Sequence, residues 1–154
     1  MTNFQEVSRL NDVMGNPKGD INNPDWMKAK GQLLLIQEEL QEMIEAIDNQ
    51  DMTALRDSTA DVLVTTYGQA HKMGIDADAD MKEVQSSNMS KLCTTAQELL
   101  DTTKHYSDMG VKVYASGVIP EACVKSAEDQ VVNGKFYPAH KFLKCVNWKE
   151  PNLS

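Results

Sequence analysis

Apolar residues recur three and four apart along most of the first 110 positions, the period of an amphipathic helix. Phe4, Val7, Leu10 and Met14 outline a short first helix, with Gly15 placed to stop it. Residues 16–23 have a loop composition, with Pro17, Gly19 and several Asn. Asn23-Pro24-Asp25 then reads as a helix start, an Asn cap followed by Pro at the first helical position and an acid in the first turn. The second helix is expected over residues 24–48. There Trp26, Ala29, Leu33, Ile36, Leu40, Met43 and Ile47 make a sustained seam of the kind that packs antiparallel helices into a bundle. Asp51 is the expected cap of a third helix reaching Met73, which Gly74 closes in the left-handed conformation. The short connection between the two predicts antiparallel neighbours.

Asp76, Asp78 and Asp80 suggest a calcium loop, but Met81 and Ser87 stand where that loop needs Gly and Glu. They read instead as the acidic first turn of a fourth helix running through Val84. Thr95 and Glu98 form a capping box that opens a fifth helix, ending near Met109 with Gly110 as its stop. Beyond Gly110 the period shortens to two over Val111, Val113 and Ala115, and Asn133-Gly134 between short apolar pairs predicts a type I′ hairpin. Residues 138–154 show no clear period. The expected fold is therefore mainly α, an antiparallel helical bundle with a small β-hairpin-containing C-terminal appendage. No repeat or separate second domain is expected: residues 1–110 form the helical core and residues 111–154 its extension.

Composition narrows the function. With 41% hydrophobic residues over 154 positions, the chain can bury a core. A net charge of -8 argues against binding nucleic acid or an anionic membrane, although a bound cation would still admit a small anionic substrate. Cys93, Cys123 and Cys145 are odd in number and lack CxxC spacing, as expected of reduced thiols in a cytoplasmic protein. No apolar run is long enough to span a membrane.

Chemistry concentrates in the second and third helices. Glu38, Glu39 and Glu42 lie three and four apart on one helix, and Asp57 and Asp61 four apart on the next. Glu39 and Glu42 flank the apolar seam, whereas Glu38 lies further round. In an antiparallel hairpin the two sets fall at the same level. Either pair alone reads as a solvated acidic face; together they make a candidate site for a hard cation, Mg²⁺ or Mn²⁺. A di-iron centre is disfavoured, because no His follows a Glu at the three-residue spacing that such bundles use. Taken by spacing alone, Asn88, Lys91 and Lys72 read as a helix end and solvated cations. Trp26 and Tyr67 are either core residues or base-stacking candidates.

The runs EELQEMIEAI, DSTADVLVTTYGQAHKMGID and EVQSSNMSK, in that order, resemble the MazG-like, or phosphoribosyl-ATP-pyrophosphatase-like, all-α nucleotide pyrophosphohydrolases. The Ser-Asn-Met-Ser-Lys run and the ending HKFLKCVNWKEPNL resemble a bacterial and phage branch. The resemblance implies hydrolysis of a (deoxy)nucleoside triphosphate to the monophosphate and pyrophosphate, with purine dNTPs such as dGTP and dATP, or dUTP and dCTP, as substrates. It implies a metal set of Glu38, Glu39, Glu42, Asp57 and Asp61 holding two or three ions. A catalytic role falls on Glu38 or Glu39 as proton acceptor and on Lys91. Substrate contacts fall on Asn88, Lys91 and Lys72. Many members carry Glu three residues before the aspartate of the second motif; here that position is Ser58, and Asp57 is expected to take its role. The resemblance also implies a homodimer or homotetramer in the cytoplasm, the host's if the protein is phage-encoded. The alternatives are a non-catalytic helical dimerisation module and a phosphoribosyl-ATP pyrophosphohydrolase.

Overall fold

In a computed structural model describing residues 1–154, five helices form where the apolar period predicts them. They are α1 (Asn3–Val13), α2 (Trp26–Asp48), α3 (Met52–Met73), α4 (Ala77–Met89) and α5 (Ala96–Asp108). Five short strands follow: β1 (Val113–Ser116), β2 (Cys123–Ser126), β3 (Gln130–Val132), β4 (Lys135–Tyr137) and β5 (Phe142–Leu143). The chain is mainly α. It divides into two units, Met1–Asp80 and Met81–Ser154. Leu99 and Tyr106 of α5 pack on the apolar cluster of the strands.

In the first unit α2 and α3 form an antiparallel hairpin. Asp51 caps α3 by accepting the amides of Thr53 and Ala54, and Gly74 closes it at φ 71°. The cap of α2 is Asp25 rather than Asn23. Its carboxylate accepts from the amides of Met27 and Lys28, so the helix begins after Pro24. Gln32 fixes the level of the hairpin. Its amide donates to the Thr65 carbonyl at 2.8 Å and accepts from Lys72 Nζ at 2.6 Å. It lies against Gly68, where a Cβ would come 3.0 Å from Gln32 Nε2. The buried positions of α2 are Gln32 and Ala46, so the strip facing α3 is the narrow one through residues 32, 39 and 46. The broader seam expected to be covered is open: Trp26 is 68% exposed, Leu33 50%, Leu40 43% and Ile47 55%.

Helix α1 is fastened to α3 by His71, which is fully buried. Its Nδ1 meets Ser8 Oγ at 2.7 Å and its Nε2 meets the Asn16 carbonyl at 2.8 Å. Phe4 packs against Tyr67 with ring centroids 5.9 Å apart, which gives Tyr67 a core role. The loop after α1 crosses the end of α3 at two glycines. Gly19 donates to the His71 carbonyl at 2.9 Å, and a Cβ on Gly19 would stand 2.1 Å from the Lys72 carbonyl oxygen.

In the second unit β1, β2 and β5 make an antiparallel three-stranded sheet with β2 in the middle, and β3 and β4 make the expected hairpin. Asn133 and Gly134 turn that hairpin at φ 51° and 77°, as a type I′ turn requires. Strand β2 has no alternating signature because Cys123, Val124 and Ser126 are all buried. Val111, Val124, Tyr137 and Leu143 form the core. Helix α4 runs past Val84 to Met89, its small polar residues finding partners that keep them helical.

Two glycines should respond oppositely to one methyl group. Gly19→Ala drives a Cβ into backbone and is expected to destabilise the protein by roughly 2–3 kcal/mol. Gly31, inside α2 with nothing within 4 Å of a Cβ, is expected to gain about 0.5–1 kcal/mol as Ala. Urea unfolding midpoints check both.

Candidate metal and phosphate site

The Gln32 clamp sets where the acids of the hairpin meet. Gln32 lies beside Gly68, and two helical turns on from Gln32 is Glu39, while two turns back from Gly68 is Asp61. Glu39 and Asp61 therefore share a level, both half-buried, and Glu42 and Asp57 share the next, both exposed. Ser58, at the position where family members carry Glu, points inward: it is 2% exposed and its hydroxyl donates to the Leu55 carbonyl at 3.3 Å. Asp57 stays outside on the adjacent position.

Glu39 is the centre of this charge. Desolvation raises its carboxyl above the ordinary range, and the charges of Asp61, Glu42, Glu38 and Asp57 raise it further, in that order. The four other acids thus all lie within electrostatic reach of Glu39, and Asp57 contributes least. None of the five makes an ion pair; the four that occur in the chain involve other acids. None accepts a side-chain hydrogen bond. No three of them converge to ligand distance as the side chains stand. The donor chemistry nevertheless fits a hard cation, since five anionic oxygen donors carry uncompensated mutual repulsion that a divalent ion would relieve.

The three remaining predicted site residues divide. Lys72 is bound to Gln32 and lies eleven residues beyond Asp61 on α3, roughly 16 Å along the helix, so it serves the hairpin clamp rather than the acidic level. Asn88 and Lys91 belong to the second unit and are brought together: Lys91 Nζ donates to Asn88 Oδ1 at 2.6 Å, and both are half-buried. Trp26 stands exposed at the start of α2, beside a pocket of about 320 Å³ that Ala29, Leu33, Ile36 and Gln69 also line.

Two residues that organise the site lay outside the sequence reading. Gln32 sits seven before Glu39 and fourteen before Ala46, and that heptad spacing marks the strip facing α3. His71, on the α3 face toward α1, is a core tie.

The sign of the Glu39 shift gives a prediction. A carboxyl raised on folding adds to stability while protonated and loses that contribution as pH rises through its folded-state pKa. Metal-free Glu39→Gln should therefore melt higher than the parent near neutral pH, by up to about 4 °C. That difference should shrink as pH falls and Glu39 takes up a proton. Thermal melts of both proteins across this range, with chelator present, check it.

Comparison with known proteins adds to this geometry. A family model described as phosphoribosyl-ATP pyrophosphohydrolase matches residues 7–88, which takes in all five acids and Asn88. An uncharacterized protein of Acanthamoeba polyphaga mimivirus is 30% identical over 84 residues, half of this chain. The match covers 33% of that protein's length.

Proposed function

Because this chain belongs to the phosphoribosyl-ATP pyrophosphohydrolase family, we propose that it is a metal-dependent nucleotide pyrophosphohydrolase. It splits a nucleoside triphosphate between the α and β phosphorus atoms, with deoxynucleotides, dGTP and dATP or dUTP and dCTP, as the substrate class. The observation that carries the reading is the half-buried Glu39 set among four other carboxylates without a cationic partner.

Glu38, Glu39, Glu42, Asp57 and Asp61 would hold Mg²⁺, which would supply the positive charge that a triphosphate needs and make a bound water more acidic. Glu39 is the proton acceptor of this reading, because it sits half-buried among the other four carboxylates, which raise its pKa. Water adds to the α phosphorus, its proton passes to the Glu39 carboxylate, and the bond to the bridging oxygen breaks to release pyrophosphate. The family resemblance carries over Asn88 and Lys91 as contacts to phosphate or sugar, and Lys91 as a cation for catalysis.

The open apolar seam of α2 supports self-association. Trp26, Leu33, Leu40 and Ile47 line one face, and Leu63 of α3 is 52% exposed as well. A second copy laid on this face would complete a helical bundle, giving a homodimer or, through a further face, a homotetramer. Leu33→Glu combined with Leu40→Glu is expected to reduce the particle to a monomer in sedimentation velocity. A parent that is itself monomeric would remove this part of the reading.

Incubation with Mg²⁺ and each common NTP and dNTP, with products separated by chromatography, tests the activity. Monophosphate plus pyrophosphate is expected, with at least about a hundredfold loss in Glu42→Gln and Asp61→Asn. Diphosphate plus phosphate would reject the α–β cleavage. Turnover of phosphoribosyl-ATP in preference to every triphosphate would move the substrate to the compound in the family's description.

A further inference from the structure

We infer that the C-terminal tail, residues 144–149, is a positioning strap for the Asn88/Lys91 pair, with Ser87 and Ser90 as its attachment points. The inference rests on the proposed nucleotide reading, in which that pair meets the phosphates or sugar.

The pair sits where α4 ends and the chain turns toward Cys93, a place where a helix end would ordinarily fray. It is instead sewn to residues some sixty positions later. Ser87, 7% exposed, donates its hydroxyl to the Lys149 carbonyl at 2.8 Å. The Lys149 amide donates to Ser90 Oγ at 3.0 Å, and Ser90 Oγ donates to the Ser87 carbonyl at 2.7 Å. One continuous relay therefore joins both serines to the tail. The Cys145 amide donates to the Lys91 carbonyl itself at 3.2 Å.

The end of the segment is fixed as firmly. Cys93 exchanges backbone hydrogen bonds with Ala122 at 2.7 and 3.2 Å. Its thiol lies 3.2 Å from that of Cys145, and the Thr102 hydroxyl touches both sulfurs at 3.5 and 3.4 Å. Thr102 also accepts the Val146 amide at 3.1 Å. Within the tail Lys144 Nζ lies 3.2 Å above the Trp148 ring. The hydroxyls of Ser87 and Ser90 thus engage the tail, while one position on from each the Asn88 amide, which also donates to Gln85 at 3.3 Å, accepts from the Lys91 ammonium. The ammonium of Lys91, with one N–H on Asn88, has two more to offer an anion.

The tail thus holds the segment carrying Asn88 and Lys91 in one conformation, so a polyphosphate meets a cation and an amide already placed. A strap of this kind acts on binding before chemistry. Ser90→Ala removes the relay and is expected to raise KM for the preferred nucleotide about five- to tenfold, with kcat within about twofold and an unchanged Mg²⁺ midpoint. Ser90→Thr, which keeps the hydroxyl, should restore KM. Ser87→Ala should act in the same direction. A folded Ser90→Ala protein with parental KM overturns the inference, as does a loss confined to the active fraction with KM unmoved. The side-chain amide resonance of Asn88 provides a readout independent of turnover. It should shift in Ser90→Ala and return in Ser90→Thr. If the parent hydrolyses nothing, the nucleotide reading fails, and this resonance still decides whether the tail holds the pair; an unmoved signal overturns the strap on its own.

Discussion

The contact on which the hairpin depends is the buried amide of Gln32. Both of its ends are satisfied across the helix pair, by the Thr65 carbonyl and the Lys72 ammonium, and the absence of a side chain at Gly68 leaves room for it. An unsatisfied buried amide is costly and a satisfied one is directional, so this single group tolerates one register and penalises its neighbours. Glycine inside a helix costs about 1 kcal/mol relative to alanine; at position 68 that cost is offset by the fit of the amide. Sliding α2 by one turn would orphan Gln32 and take Glu39 away from Asp61.

The hairpin therefore stores charge in a defined place. Five acids on two helices, none of them paired with a cation, are a destabilising arrangement by themselves. The fold accommodates them because only Glu39 and Asp61 are half-buried while Glu38, Glu42 and Asp57 reach water. Replacement of the usual family glutamate by Ser58 fits the same balance. The inward position carries a small hydroxyl that bonds its own helix, and the neighbouring Asp57 is exposed. Function here is set by what the two helices leave uncompensated as much as by what they pack.

Much of this was legible in the residues. Caps and stops are local chemistry, so Asp51, Gly74, Thr95 with Glu98 and the Asn133-Gly134 turn were readable one by one. The acids were readable because the spacing of a helix is fixed. What failed depended on distant partners. Strand β2 lies between two others and lost its alternation. Helix α4 was expected through Val84 and continues to Met89, because the tail that satisfies its serines lies sixty residues on. The α2 seam promised a covered face, yet in one chain α3 covers only the strip through Gln32 and Ala46. Lys72 donates to a buried glutamine on the neighbouring helix, a partner that its place near the end of α3 does not announce.

All three cysteines lie in the second unit and are buried there, and burial pushes the Cys93 thiol up to about 11. Thiolate, the form that reacts, is therefore scarce as well as sheltered. The molecule thus carries its own opening gauge: alkylation by a thiol reagent marks excursions of the strands and tail, while the acidic hairpin, which has no sulfhydryl, stays silent to the same label.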